Sequence, residues 1–76
     1  MYNTEVMLLI DNCYTIIDNI KLALNNNHID NLITQSFKEK INNCIVLINN
    51  NKLLISSDKK RLINDLNKTL TNIKDV

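Results

Sequence analysis

Between residues 6 and 24 the apolar side chains Val6, Ile10, Cys13, Ile17, Ile20 and Leu24 follow one another at spacings of 4, 3, 4, 3 and 4. That rhythm lays them along one stripe of an α-helix and predicts a first helix over about residues 4–24. Leu9, Ile16 and Ala23 recur every seven residues beside the stripe, widening it enough to touch two neighbours. Asn3 or Thr4 can cap its start by accepting a hydrogen bond from an unpaired amide. The triplet Asn25 to Asn27 is expected to end it, because Asn is the residue other than Gly that best tolerates a left-handed helix stop.

The pattern resumes with Phe37, Ile41, Cys44 and Ile48 at spacings of 4, 3 and 4. Ile29, Leu32 and Ile33 extend this face backwards, so the second helix is expected over about 29–50, capped by Asn27 or Asp30. Ser36 with Glu39 forms a capping-box pattern that would start it near 37, but the resulting ten-residue loop is unusual in a small bundle. A second triplet, Asn49 to Asn51, marks the next stop. Ser56 and Ser57 then cap a third helix over about 57–74, with Ile63, Leu66, Leu70 and Ile73 on its seam and Leu62 alongside. Three helices with short connections imply antiparallel neighbours. The expected fold is therefore all-α, a single domain over 1–76 built as an up-down-up three-helix bundle, roughly 25–30 Å long.

Two features of the pattern exceed what a simple bundle needs. Val6 to Ile10 and Cys44 to Ile48 are unbroken five-residue apolar runs that cover the whole helix circumference, and the hairpin register puts both at one end of the bundle. Leu53 to Ile55 belong to the connection at that same end. Either the connection folds across this pole and hides it, or Leu8, Val46, Leu47 and Leu54 form an exposed patch that docks a protein partner or a second copy.

Composition narrows the alternatives. The chain has no Gly and no Pro, which removes the usual residues of tight hairpin turns and phosphate-cradling loops and disfavours β architectures and nucleotide-binding folds. Leu, Ile, Val and Phe number 11, 12, 3 and 1, enough for a core despite 15 Asn, so the chain is expected to fold. Asn, Ile and Lys all have codons rich in A and T, so their excess points to an A/T-rich genome, viral or otherwise, more than to function. No segment is long and apolar enough to span a membrane and no basic leader opens the chain, so a cytoplasmic setting is expected.

Net charge is +1, too small to steer the whole chain to nucleic acid. Its distribution is uneven: residues 1–27 set Glu5, Asp11 and Asp18 against Lys21, a net of −2, whereas residues 53–76 set five cations against three aspartates, a net of +2. Lys59, Lys60 and Arg61, with Lys68 and Lys74, form a basic edge on the third helix. Contact with an anionic partner, nucleic acid included, is one reading of it. A solvated helix face, with Asp58 and Asp65 placed to pair with Arg61, is the other.

Catalytic chemistry finds little footing. Cys13 and Cys44 both sit on seams and come within about a turn of each other in the hairpin, so they read as small core residues or as a disulfide; no Cys-x-x-Cys spacing points to a redox centre. His28 lies at the turn, several helical turns from both thiols, so a zinc site fails and an exposed loop histidine is expected. Asp11 and Asp18 lie about 10.5 Å apart along a helix axis and read as a solvated edge. No nucleophile and base can be paired, and no metal, cofactor or small-molecule substrate is expected. The pattern points to a non-enzymatic protein–protein interaction module, an accessory, inhibitor or assembly protein, with self-association as one mode. A small nucleic-acid binder using the basic edge is the alternative.

Overall fold

The computed structural model of the chain describes residues 2–26 and 30–74. The readings made for Asn27, His28, Ile29 and Asp75, and for the side chain of Lys74, lie outside them. Three helices, α1 (Thr4–Asn25), α2 (Asn31–Asn50) and α3 (Ser56–Lys74), form an all-α bundle in which each helix packs against both others. Its dimensions are 38 × 18 × 17 Å. That is longer than expected, because the 22 residues of α1 alone span about 33 Å at 1.5 Å per residue.

The apolar stripes predicted for α1 and α2 form the interior. Val6, Cys13, Ile17 and Ile20 of α1 meet Ile41, Cys44 and Ile48 of α2, while Leu9 and Ile16 flank them half-buried. In α3 the buried line is Leu62, Leu66, Thr69 and Ile73, so the seam is rotated from the expected one, and Ile63 and Leu70 are only half-buried. The rotation turns on Thr69. Its hydroxyl donates to the carbonyl of Asp65 at 2.9 Å, so a polar residue enters the core with its polar atom satisfied, which an apolar count overlooks.

The helix boundaries follow from side chains that replace missing backbone partners. Asn3 Oδ1 accepts from the Val6 amide at 3.0 Å, and Asp30 Oδ1 accepts from the Ile33 amide at 2.9 Å. The Asp30 cap starts α2 at Asn31 rather than 29, and Leu32, expected to extend the buried face, is 83% exposed. Ser56 and Ser57 are not caps: the Ile55 carbonyl already accepts from the Lys59 amide, so both serines lie in the first turn. Of the first asparagine triplet, Asn27 lies outside the described residues; the cap residues Asn26 (φ −93°) and Asn51 (φ −77°) are not left-handed. Asn51 instead accepts from the Leu53 and Leu54 amides through Oδ1, at 2.9 and 3.0 Å, and so bends the chain into the connection.

Candidate interaction surface

The beginning of α1, the end of α2 and the start of α3 meet at one pole, as the hairpin register implies. Tyr2 ties them together: its hydroxyl donates to Asp58 Oδ2 and accepts from the Ile55 amide at 3.1 Å. Asp58 also receives Arg61 Nη2 at 3.0 Å. Two turns further along α3, Asp65 Oδ2 accepts from the Tyr14 hydroxyl at 3.2 Å. Apolar spacing marks neither tyrosine. The available signal was two aspartates seven residues apart in an otherwise basic helix, opposite a helix carrying a tyrosine beside its seam.

At this pole the apolar residues divide. Leu54 is 5% exposed and belongs to the core, which removes it from the proposed docking patch. The Asn51 turn aims it inward, and Leu53 and Ile55 on either side remain more than half exposed. Met7, Leu8, Val46 and Leu47 are also more than half exposed. The connection therefore covers the pole with one side chain and adds two to its apolar surface.

Leu47 does more than sit in solvent. With Leu9, Ile16, Asn12, Thr15, Lys40, Asn43 and the edge of Cys44 it lines a groove of about 300 Å³ between α1 and α2. Leu8 and Val46 lie outside that lining. The groove is apolar at Leu9 and Leu47 toward the pole and at Ile16 toward its far end, where Lys40 also lies, with Asn12 and Asn43 between them. Glu5 extends the α1 side toward the pole, since Glu5, Leu9, Asn12 and Ile16 fall at helical spacings of 4, 3 and 4.

The basic residues do not form one edge. Lys59 and Lys60 line a shallow concavity with Asn49, Ser56, Ile63, Asn64 and Asn67, and Lys59 Nζ donates to the Asn49 carbonyl at 3.4 Å. Arg61 turns the other way, toward Asp58. Lys68, seven residues on from Arg61, falls on the Arg61 side of the helix and is exposed. Two of the four cations are thus engaged within the fold, and the four are split across two faces. Asp11 and Asp18 are exposed. Among the described residues no group of three or more His, Cys, Asp or Glu side chains could hold a metal ion, and no helix is long and apolar enough to cross a membrane.

Cys13 and Cys44 are free, buried thiols. Burial, together with the adjacent Cys44 thiol, pushes the Cys13 pKa up to about 12. The hydrogen bond to Asp58 raises the Tyr2 phenol above its ordinary value, and burial followed by the bond to Asp65 raises that of Tyr14. All three shifts have one sign. Well below pH 9 these groups are protonated whether the chain is folded or not, and their contribution to stability is complete. As pH rises, the unfolded chain releases their protons first, so stability falls through the alkaline range until the folded groups ionise as well. The urea midpoint is expected to decline progressively from pH 9 toward pH 12; a midpoint unchanged between pH 8 and pH 11 contradicts this.

Compared with known protein families, curated proteins and solved structures, the chain matches none.

Proposed function

We propose that this protein is a non-enzymatic interaction module that works by docking its α1·α2 face, and that the surface it docks is a second copy of itself. The observation that carries the reading is the groove, apolar at Leu9, Ile16 and Leu47, open beside an uncovered pole. Lys40 lies at one end, and Glu5, on the same face of α1 but outside the lining, lies beyond the other. An antiparallel copy laid along it brings Glu5 of each chain over Lys40 of the other, about 16 Å along the axis, so the face is complementary to itself. The long face of the bundle, 38 by 18 Å, is also comparable with the ~800 Å² that each partner of a stable dimer buries. We place this activity in the cytoplasm, where thiols are held reduced except under sustained oxidising conditions.

Sedimentation of the parent beside Leu47→Glu and Val46→Glu tests the proposal. The parent is expected to self-associate with rising concentration. Leu47→Glu, in the groove, should abolish this, whereas Val46→Glu, outside it, should weaken it less. A parent that remains monomeric at high concentration removes self-docking. A mobility shift at two salt concentrations tests the nucleic-acid alternative, because binding through Lys60 and Lys68 must weaken steeply with salt whereas apolar docking does not.

A further inference from the structure

Cys13 and Cys44 are the only cysteines in the chain, and the interaction reading gives neither thiol a chemical role, although Cys44 borders the groove. The groove shows how the fold aligns them. It is walled by Leu9 through Ile16 on α1 and by Lys40 through Leu47 on the antiparallel α2, so its midpoint falls at residues 12–13 on one side and 43–44 on the other. The two thiols are therefore level across the helix interface. Both belong to the buried core, and they are close enough for one to perturb the ionisation of the other. Short side chains facing each other also let two helices approach more closely than leucines would. Cys44 differs from Cys13 in one respect: it forms part of the groove wall, and so has an edge toward solvent.

We propose that Cys13 and Cys44 form a reversible disulfide that staples α1 to α2, closed by a low-molecular-weight disulfide oxidant. Cys44 is the entry thiol. Its thiolate attacks one sulfur of oxidised glutathione, forming a mixed disulfide and releasing one glutathione thiolate. The Cys13 thiolate then attacks the Cys44 sulfur and expels the second glutathione. Two electrons pass from the cysteine pair to the oxidant, and the two thiol protons end on the released glutathiones. The high pKa of Cys13 makes the second step slow near neutral pH and faster as pH rises. The staple is thus a response to sustained oxidising conditions. It shares Cys44 with the wall of the docking groove, but its readout is an intramolecular bond rather than self-association, so either can fail without the other.

The test is equilibration of the reduced full chain with graded ratios of reduced to oxidised glutathione, in native buffer and in denaturing guanidinium, followed by acid quench and intact mass. The expected product is a monomer lighter by two hydrogens and restored by dithiothreitol. With only two cysteines present, that mass identifies the bond. Because a bridge that fits the fold stabilises it, the native chain should close the bond at equilibrium roughly 30- to 1000-fold more favourably than the denatured chain. A native equilibrium no better than the denatured one overturns the proposal, as does a product confined to mixed disulfides or covalent dimers, or no oxidation at all. Any of these outcomes leaves the pair as core packing.

Discussion

Leu66→Ala is expected to remove much or all of the stability of this protein, while Leu32→Ala, the same chemical change, is expected to be nearly silent. Leu66 is fully buried on α3, which packs against both other helices. Truncating a core leucine costs about 2–5 kcal/mol, from lost transfer energy and the cavity left behind. Against that stands a total of ~4–11 kcal/mol for a domain of this length, at 0.05–0.15 kcal/mol per residue. A chain near the lower end would be unfolded outright. Leu32 is 83% exposed, and Ala is at least as good a helix former, so its truncation should fall within ~0.5 kcal/mol. Urea titrations followed by circular dichroism read both. Similar midpoints for the two variants would refute the packing described for α3.

The second large effect lies in the connection between α2 and α3, where neighbouring leucines have opposite fates. Leu54→Asp should cost at least ~3 kcal/mol, because it gives up ~1.5–3 kcal/mol of apolar burial and forces a carboxylate to be desolvated or protonated. Leu53→Asp, one position away and 60% exposed, should cost less than ~1 kcal/mol. The contrast depends on Asn51, whose Oδ1 holds the Leu53 and Leu54 amides and so sets which side chain points inward. Measured at pH 7, near-equal losses for the two variants would mean that the connection does not hold Leu54 in the core. The comparison bears on function as well, since a connection that exposed Leu54 would enlarge the apolar pole and shift the docking surface away from the α1·α2 groove.

Much of the architecture was legible along the chain because helices of about twenty residues repeat their apolar spacing often enough to be unmistakable. The stripe from Val6 to Leu24 marks the core face of α1, and Ile41, Cys44 and Ile48 mark that of α2. Legibility failed where a residue's fate depends on one side-chain hydrogen bond. Thr69 is buried because the Asp65 carbonyl receives its hydroxyl, and α2 begins at Asn31 because the Asp30 carboxylate receives the Ile33 amide. The asparagine triplets fall where the helices stop, and the cap residues Asn26 and Asn51 are not left-handed. At the second triplet it is the Asn51 side-chain oxygen that turns the chain. The basic run on α3 reads as one edge only while position along the chain is considered. In three dimensions Lys59 turns to the end of α2 and Arg61 to Asp58, so the run points to two faces rather than one.

The sequence by itself determined the number of helices, their approximate extents, the placing of Cys13 and Cys44 within about a turn of each other and the gathering of apolar residues at one pole. Each of these follows from periodicity and from short connections that leave antiparallel packing as the outcome. Only the tertiary structure decided which apolar residues remain available: Leu54 is taken into the core, Leu47 joins Leu9 and Ile16 in a groove, and Tyr2 and Tyr14 lock α1 to α3 through aspartates 56 and 51 residues away. The physical reason is that exposure is a property of what lies opposite. A helical wheel gives the direction of a side chain, but whether that direction meets solvent or a neighbouring helix is set by packing angles and by the bend of a single connection.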